Sequence, residues 1–333
     1  MNARGFVLVA TLWVLAGLAA LATYIDSMVA TDLDRTHLYR QSILDELHRR
    51  GTEATLLYLL STGRMSHRGL VLEEEQRFLE AFDDPELPPG DGELTMAGET
   101  YAGLGRMRFA LQDERGLAHV NIPSSPMLGA VLERAGIAPG DVARILPRIG
   151  DYVDVDNQLT LNGAESFDYR EQGLPPPANW FMAGPMELKK VLGVGRLISP
   201  EQWQRLSPLL SVRGAGIYNF NTMHPQVLEA LLDLDSDGVR EILEARAERP
   251  ITRFSQIAML TGRYPGIDEE SIVMLPSPYV RIAIWPAGGA RKSVAGFSLT
   301  PGGAAPWRTE YRYSELVLEH GPELPQKAAT PLL

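Results

Sequence analysis

Residues 4–64 read RGFVLVATLWVLAGLAALATYIDSMVATDLDRTHLYRQSILDELHRRGTEATLLYLLSTGR. From Phe6 to Ile25 no residue is charged, and Asp26 ends the run. A helix of that length spans roughly 30 Å, the thickness of a hydrocarbon core. Arg4 on its N-terminal side favours a cytoplasmic N-terminus with the rest of the chain outside. Beyond Asp26 there is no proline, and Gly51 is the sole glycine before Gly63. Leu33, Thr36, Tyr39, Arg40, Ile43, Leu44 and Leu47 recur at spacings of three and four, the period of an amphipathic helix. One long helix is therefore expected, beginning in a membrane at Phe6 and emerging with a stripe that needs a partner. A cleaved export signal ending at Ala20-Leu21-Ala22 is the competing reading. Its basic region would be only five residues long, and the apolar run continues past that site.

The whole chain has 333 residues, enough for two or three ordinary domains. Its formal charge of -11 argues against a general nucleic-acid binder, because phosphate binding needs clustered Lys and Arg. With no cysteine, a disulfide framework and a thiolate metal site are both excluded. No histidine stands in a zinc-protease or nucleophile-elbow context, and no nucleophile–base pair emerges, so no enzyme is expected.

After the first helix, residues 67–93 suggest a short helix and a Pro/Gly loop. Residues 93–122 alternate between glycines and read as two or three antiparallel strands. From Ser124 to about Leu275 the texture is helical. Candidate helices cover 126–135, 139–149, 185–191, 200–206, 225–232, 238–247 and 254–260, several of them opening on proline. Strands return in "PYVRIAIWPA", "RKSVAGFSLT" and "WRTEYRYSELVLE", and the tail from His320 reads as disordered. This order predicts one α+β domain with an all-helical insertion, the early and late strands completing a single sheet on the N-terminal helix. Separate domains would leave each small strand group with unpaired edges.

The densest oxygen ligands lie in "GDYVDVDNQLTLNGAESFDY", residues 150–169. Asp154, Asp156, Gln158 and Glu165 fall at positions 1, 3, 5 and 12 of a calcium-loop frame, but Leu159 stands where the frame requires glycine. Asp151 and Asp168 can add or orient a ligand. A solvated acidic turn fits the same spacing. Further on, "NFNTMHPQVLEALLDLDSDGVREILEARAERPITRFSQI" has the outline of a helix-hairpin-helix. Three aspartates sit where such motifs dock phosphate on backbone N–H groups. The segment is expected to be scaffold: Thr222 caps a helix, and Val227, Leu231, Ile242 and Leu243 fill a core. Arg240, Arg246, Arg249 and Arg253 pair with Glu241, Glu244 and Glu248 on solvated faces. Asn121, Asn219 and Asn221 bond turn backbone. Trp180, Phe181, Trp203 and Trp285 are core or interface candidates.

The Arg4-Gly5 junction with its apolar run resembles the signal of type IV pilins and pseudopilins. The lack of an acidic residue at the fifth mature position, here Ala10, resembles the GspK class of type II secretion minor pseudopilins. So do Asp151-Tyr152, Asp154, Asp156, Gly163-Ala164-Glu165, Tyr169, Asn179 and the Asn-x-Asn-Thr segment. The resemblance implies that a prepilin peptidase cuts between Gly5 and Phe6 and that the new N-terminus is methylated. It implies a single-pass inner-membrane protein, N-terminus cytoplasmic and head periplasmic, and a pilin-like fold carrying a large α-domain. Domains are then expected at 1–5 (leader), 6–25 (stem), 26–123 and 276–319 (pilin-like), 124–275 (helical) and 320–333 (tail). Without the acidic residue a subunit is ill-equipped to dock beneath another, which suits the tip. Implied partners are the I and J classes, with H joining below, through Val29, Leu33, Thr36, Tyr39, Arg40, Ile43 and Leu47. Calcium is implied in the α-domain, held by Asp154, Asp156 and Glu165 with Asp151 and Asp168 nearby. A plain membrane-anchored binding module and a DNA-uptake protein are the alternative classes.

Overall fold

The computed structural model describes residues 3–72, 92–213, 216–264, 269–300 and 303–317, with side chains from residue 9 onward. Of the short helix and loop expected over 67–93, residues 73–91 lie outside the described residues, as does the tail from His320, while Gly69–Val71 form a strand.

Helix α1 (Ala3–Thr62) runs unbroken for 60 residues, about 90 Å of helix. Its two parts differ in what they touch. Leu56, Leu57 and Leu60 are buried, whereas the large apolar side chains from Val9 to Leu47 are exposed. The buried end lies on a five-stranded antiparallel sheet. Strands β4 (Ala97–Ala102) and β5 (Met107–Asp113) come before the helical region, and β8 (Tyr279–Pro286), β9 (Arg291–Leu299) and β10 (Trp307–Leu316) follow it. Their order is β10-β9-β8-β5-β4. The early and late strands thus pair directly, with Leu111 opposite Ile282.

Alternation assigns the faces. Val280, Ile282 and Ile284 on β8 join Phe109, Leu111 and Phe297 beneath α1. Charged and polar ties fix the helix in place. Thr52 Oγ1 accepts the Leu104 N–H at 3.0 Å. Arg106 reaches Asp45 at 2.6 Å and Arg312 reaches Glu53 at 2.7 Å. Three short strands, β1 (Arg64–Met65), β2 (Gly69–Val71) and β3 (Glu93–Thr95), make a separate small sheet after α1.

Between β5 and β8 the chain forms a second buried cluster, built on α2 (Pro126–Arg134), α3 (Pro139–Val153), α4 (Ser166–Glu171), α5 (Val194–Leu197), α6 (Pro200–Leu206), α7 (Pro225–Leu232), α8 (Ser236–Glu248) and α9 (Phe254–Thr261). A two-stranded parallel pair, β6 (Ala118–His119) and β7 (Leu210–Ser211), ties its start to the segment after α6. Helix α3 continues four residues past the expected Ile149, carrying Pro147 inside it. Residues 185–190 are a 3-10 turn rather than a longer helix. Helices α4 and α5, of six and four residues, lack the length for a readable apolar period.

Two expectations for the helix-hairpin segment are corrected. Thr222 caps no helix: it is fully buried and donates to Asp113 Oδ2 at 2.8 Å. His224 caps α7 instead, its Nδ1 accepting the Gln226 N–H. Arg246 is not on a solvated face. It is 7% exposed and donates to the carbonyls of Phe220 and Met223 at 3.0 and 2.7 Å. Arg240 does pair locally, with Asp237 and Glu244. Val227 and Ile242 are fully buried, and Leu231 and Leu243 pack against the same cluster. The asparagines bond backbone: Asn121 to Met182 and Val212, and Asn221 to Ile251. Trp180 and Phe181 are exposed, which removes them from the core.

The helical cluster is joined to the sheet by buried charge. Glu114 accepts from Arg281 Nε at 3.1 Å, and from the hydroxyls of Tyr311 and Ser211. Arg281 also donates to the carbonyls of Pro208, at 3.0 Å, and Leu210. Burial opposes the guanidinium's charge, but Glu114 beside it holds its pKa well above the usual value. Tyr311 lies across Gly296, where a Cβ would meet its ring at 2.3 Å, so this strand position admits only glycine.

Candidate functional site

The acidic loop hangs between two helices. Helix α3 ends at Val153, and Asp154 is its C-cap in extended backbone. Glu165 is the N-cap of α4. One carboxylate oxygen each from Asp151, Asp154 and Glu165 lies within 4.8 Å of the others. Asp151 is fully buried, Glu165 is 3% exposed and Asp154 is half-buried.

The loop is shaped around Asp151. Thr160 donates to it twice, from its hydroxyl at 2.7 Å and from its N–H at 3.2 Å. The Gly163 N–H returns to the Thr160 carbonyl at 3.0 Å. Asn162 takes a positive φ of 65°, a conformation that asparagine adopts more readily than most residues. Asp168 Oδ2 accepts the Glu165 N–H at 2.8 Å, which leaves the Glu165 carboxylate to turn inward. There both its oxygens are buried with no hydrogen-bond donor among the described residues, and so is Asp154 Oδ1. Unpaired buried carboxylate oxygens cost several kcal/mol unless a proton or cation joins them. Burial, then Asp151 and Asp154, push the Glu165 pKa up to about 7. Burial, then Asp156 and Asp151, raise that of Asp154.

Of the five acids singled out in the sequence, Asp151, Asp154 and Glu165 converge. Asp156 and Asp168 stand at the margin. Asp156 Oδ1 accepts the Gln158 N–H at 2.8 Å, and Asp168 is engaged at the helix cap. Asp156 still serves the loop through its carbonyl, which accepts from Asn179 Nδ2 at 2.8 Å. Asn179 Oδ1 is itself buried and undonated, a further oxygen of the kind a hard cation takes. No spacing rule could bring Asn179 beside the loop; its positive φ of 46° and the bond from its N–H to the Tyr152 carbonyl do. The donor set is all oxygen, anionic and desolvated, and fits a hard divalent ion. The same geometry offers no nucleophile.

The expected partner stripe is on the free part of α1. Val29, Leu33, Tyr39, Ile43 and Leu47 are each more than half exposed, and Thr36 and Arg40 lie between them on exposed helix. Residues 9–62 form a helix long and apolar enough at its N-terminal end to cross a membrane. Gly5 and Phe6 fall within the helical backbone of α1.

A sequence-family model for type II secretion system protein K matches residues 110–215, which include the whole acidic loop. The putative type II secretion system protein K of Escherichia coli K12 is 27% identical over 215 residues. That covers 63% of this chain and 62% of the relative, just under two thirds of its length. Among solved structures, the GspK–GspI–GspJ complex of enterotoxigenic Escherichia coli contains a chain that superposes with a TM-score of 0.54. At 17% identity the match covers 84% of this chain and 99% of that one, which shows a shared fold. The matched region, the relative and the shared α+β fold with its helical excursion point the same way: over residues 110–215 the chain is similar to protein K of type II secretion systems, and its fold is that of the GspK chain.

Proposed function

We propose that this chain is a minor pseudopilin that initiates and caps the periplasmic pseudopilus of a type II secretion system. The supporting observation is the split character of α1. Its C-terminal end is buried against the sheet, while its large apolar side chains from Val9 to Leu47 stay exposed among the described residues. Such a surface is stable in water only when a membrane or neighbouring helices enclose it. Ala10, in place of an acidic residue, suits a subunit with no neighbour above it. The GspK of similar fold was crystallised with GspI and GspJ, so the I and J classes are the proposed partners; H joining below is what the sequence resemblance implies. Prepilin peptidase would cut at Gly5–Phe6 and methylation would follow. The stem would then rest in the inner membrane with the head in the periplasm. The role is structural rather than enzymatic.

Calcium is the proposed ion of the acidic loop, held by Asp151, Asp154 and Glu165. Bound there, it would supply positive charge that pins the loop between α3 and α4.

Mass spectrometry of the chain purified from membranes tests the stem, and co-purification with I- and J-class pseudopilins tests the partners. A start at N-methylated Phe6 and a complex lost in Tyr39→Asp/Ile43→Asp are expected. A start at Met1 or at Thr23 would reduce the protein to an anchored or secreted module.

A further inference from the structure

Beside the acidic loop lies a cleft of about 310 Å³. Val191 and Leu192, both buried, give it an apolar floor, the exposed Leu174 and Pro175 extend its apolar lining, and Lys189, Lys190 and Arg196 add cationic lining. Among the described residues no carboxylate lines it. In a chain of net charge -11, three cations around an apolar floor are a local reversal of sign. Glu187, the acid behind the wall, is already committed: it accepts from the Tyr152 hydroxyl, the Ala183 N–H and Lys190 Nζ. Lys189 rests 4.5 Å above the Trp203 ring. Arg196 is exposed, with no acidic partner among the described residues.

The cleft is built rather than incidental. The Tyr169 hydroxyl accepts the Leu192 N–H at 2.9 Å, and Arg148 Nη1 donates to the Leu192 carbonyl at 3.1 Å. The Leu174 N–H is tied to the Tyr169 carbonyl at 2.9 Å. Gly193 has φ 78°, and a Cβ there would lie 2.2 Å from Arg148 Nη1, so the backbone is held open by a residue that leaves room. A rigid, partly apolar cavity near the lower size limit of ligand pockets accepts one or two side chains, and its polar rim sets what flanks them.

We infer that this cleft docks an extended segment of a partner polypeptide in which acidic residues flank an apolar side chain. Opposite charge on the rim steers such a segment and the floor buries its apolar member. A small inorganic anion would leave the floor unused. The inference does not depend on where in a filament the chain sits.

The test is an array of immobilised random short peptides probed with the detergent-solubilised full chain. Three forms are compared: wild type, Lys190→Glu/Arg196→Glu, and Arg240→Glu on α8 as a control for general charge. Retained peptides enriched in Asp and Glu around an apolar residue are expected. Their signal should fall roughly tenfold in the double variant and hold in the control, at a temperature well below both melting points, since losing the exposed Lys190–Glu187 bond lowers the variant's stability only slightly. Retention without acidic enrichment, the same peptides held by the double variant, or full displacement by inorganic phosphate at constant ionic strength would each overturn it.

Discussion

The Asp151 carboxylate fills the space that a side chain on Gly163 would need: a Cβ built on Gly163 would stand 1.9 Å from Asp151 Oδ2. The glycine of the Gly163-Ala164-Glu165 run is therefore a demand of packing, set twelve residues away. Gly163→Ala must push Asp151 off Thr160 and out of the carboxylate cluster. A loss of about 1–3 kcal/mol in folding stability is expected, the range for breaking a buried polar contact. Calcium affinity should fall by at least roughly 10- to 100-fold, the loss for removing a mere support of a ligand, because Asp151 is itself a proposed ligand. Isothermal titration of calcium into wild type and variant reads the second number, and urea melts read the first.

Occupancy of the loop is tested directly by chelation. An ion that binds only the folded state stabilises it by about 2.7 kcal/mol at a hundred times its Kd. EGTA should lower the melting temperature of wild type by several degrees and leave Glu165→Gln unaffected, since that variant loses charge at the centre of the cluster. Equal melting with and without EGTA in wild type would remove calcium from the account and leave the similarity to protein K standing.

Much of this was readable from residue order, and the failures have a common cause. The unbroken α1, the strands of the sheet and most helices of the excursion follow from periodicity and from prolines at helix starts. Direct pairing of β5 with β8 follows from the need to leave few open edges. Thr222 and Arg246 were misplaced because local rules assign a hydroxyl before a helix to capping and an arginine on a charged helix to solvent. Both are captured by distant acceptors, Asp113 Oδ2 and the Phe220 and Met223 carbonyls. The acidic loop shows the same limit. Spacing drew attention to Asp156, yet tertiary folding turned its carboxylate to a local N–H and brought Asp151 inward from the preceding helix.

Arg281 and Glu114 carry the joint between sheet and helical cluster, and both side chains are nearly inaccessible. Removing one partner of a buried pair leaves an uncompensated charge, at a cost of about 3–5 kcal/mol. Arg281→Met should destabilise by that amount and open the joint to limited proteolysis near Pro208 and Leu210, whose carbonyls lose their donor. Arg281→Met combined with Glu114→Gln should recover part of the loss, because the orphaned charge goes as well. Full additivity of the two changes in denaturant melts would show that the pair is not coupled.

His119 makes the fold sensitive to acid. It is 2% exposed and stacks on Tyr218 at a centroid distance of 5.2 Å. Its Nδ1 accepts the Gly216 N–H at 3.2 Å, so the ring is held neutral with its proton on Nε2, facing the Glu114 carbonyl. Burial lowers its pKa to about 4. The unfolded chain, titrating near 6.5, therefore binds more protons than the folded one between these values. Stability from this group is fully present above about pH 6.5, declines as the pH falls, and is lost below about 4. At pH 5 the loss should be about 2 kcal/mol relative to neutral pH. His119→Gln supplies a side-chain donor and acceptor but cannot titrate. Urea melts of both proteins at pH 7 and pH 5 should show the wild type losing more stability than the variant by that margin. Parallel pH slopes in the two would mean that another buried group sets the acid limit.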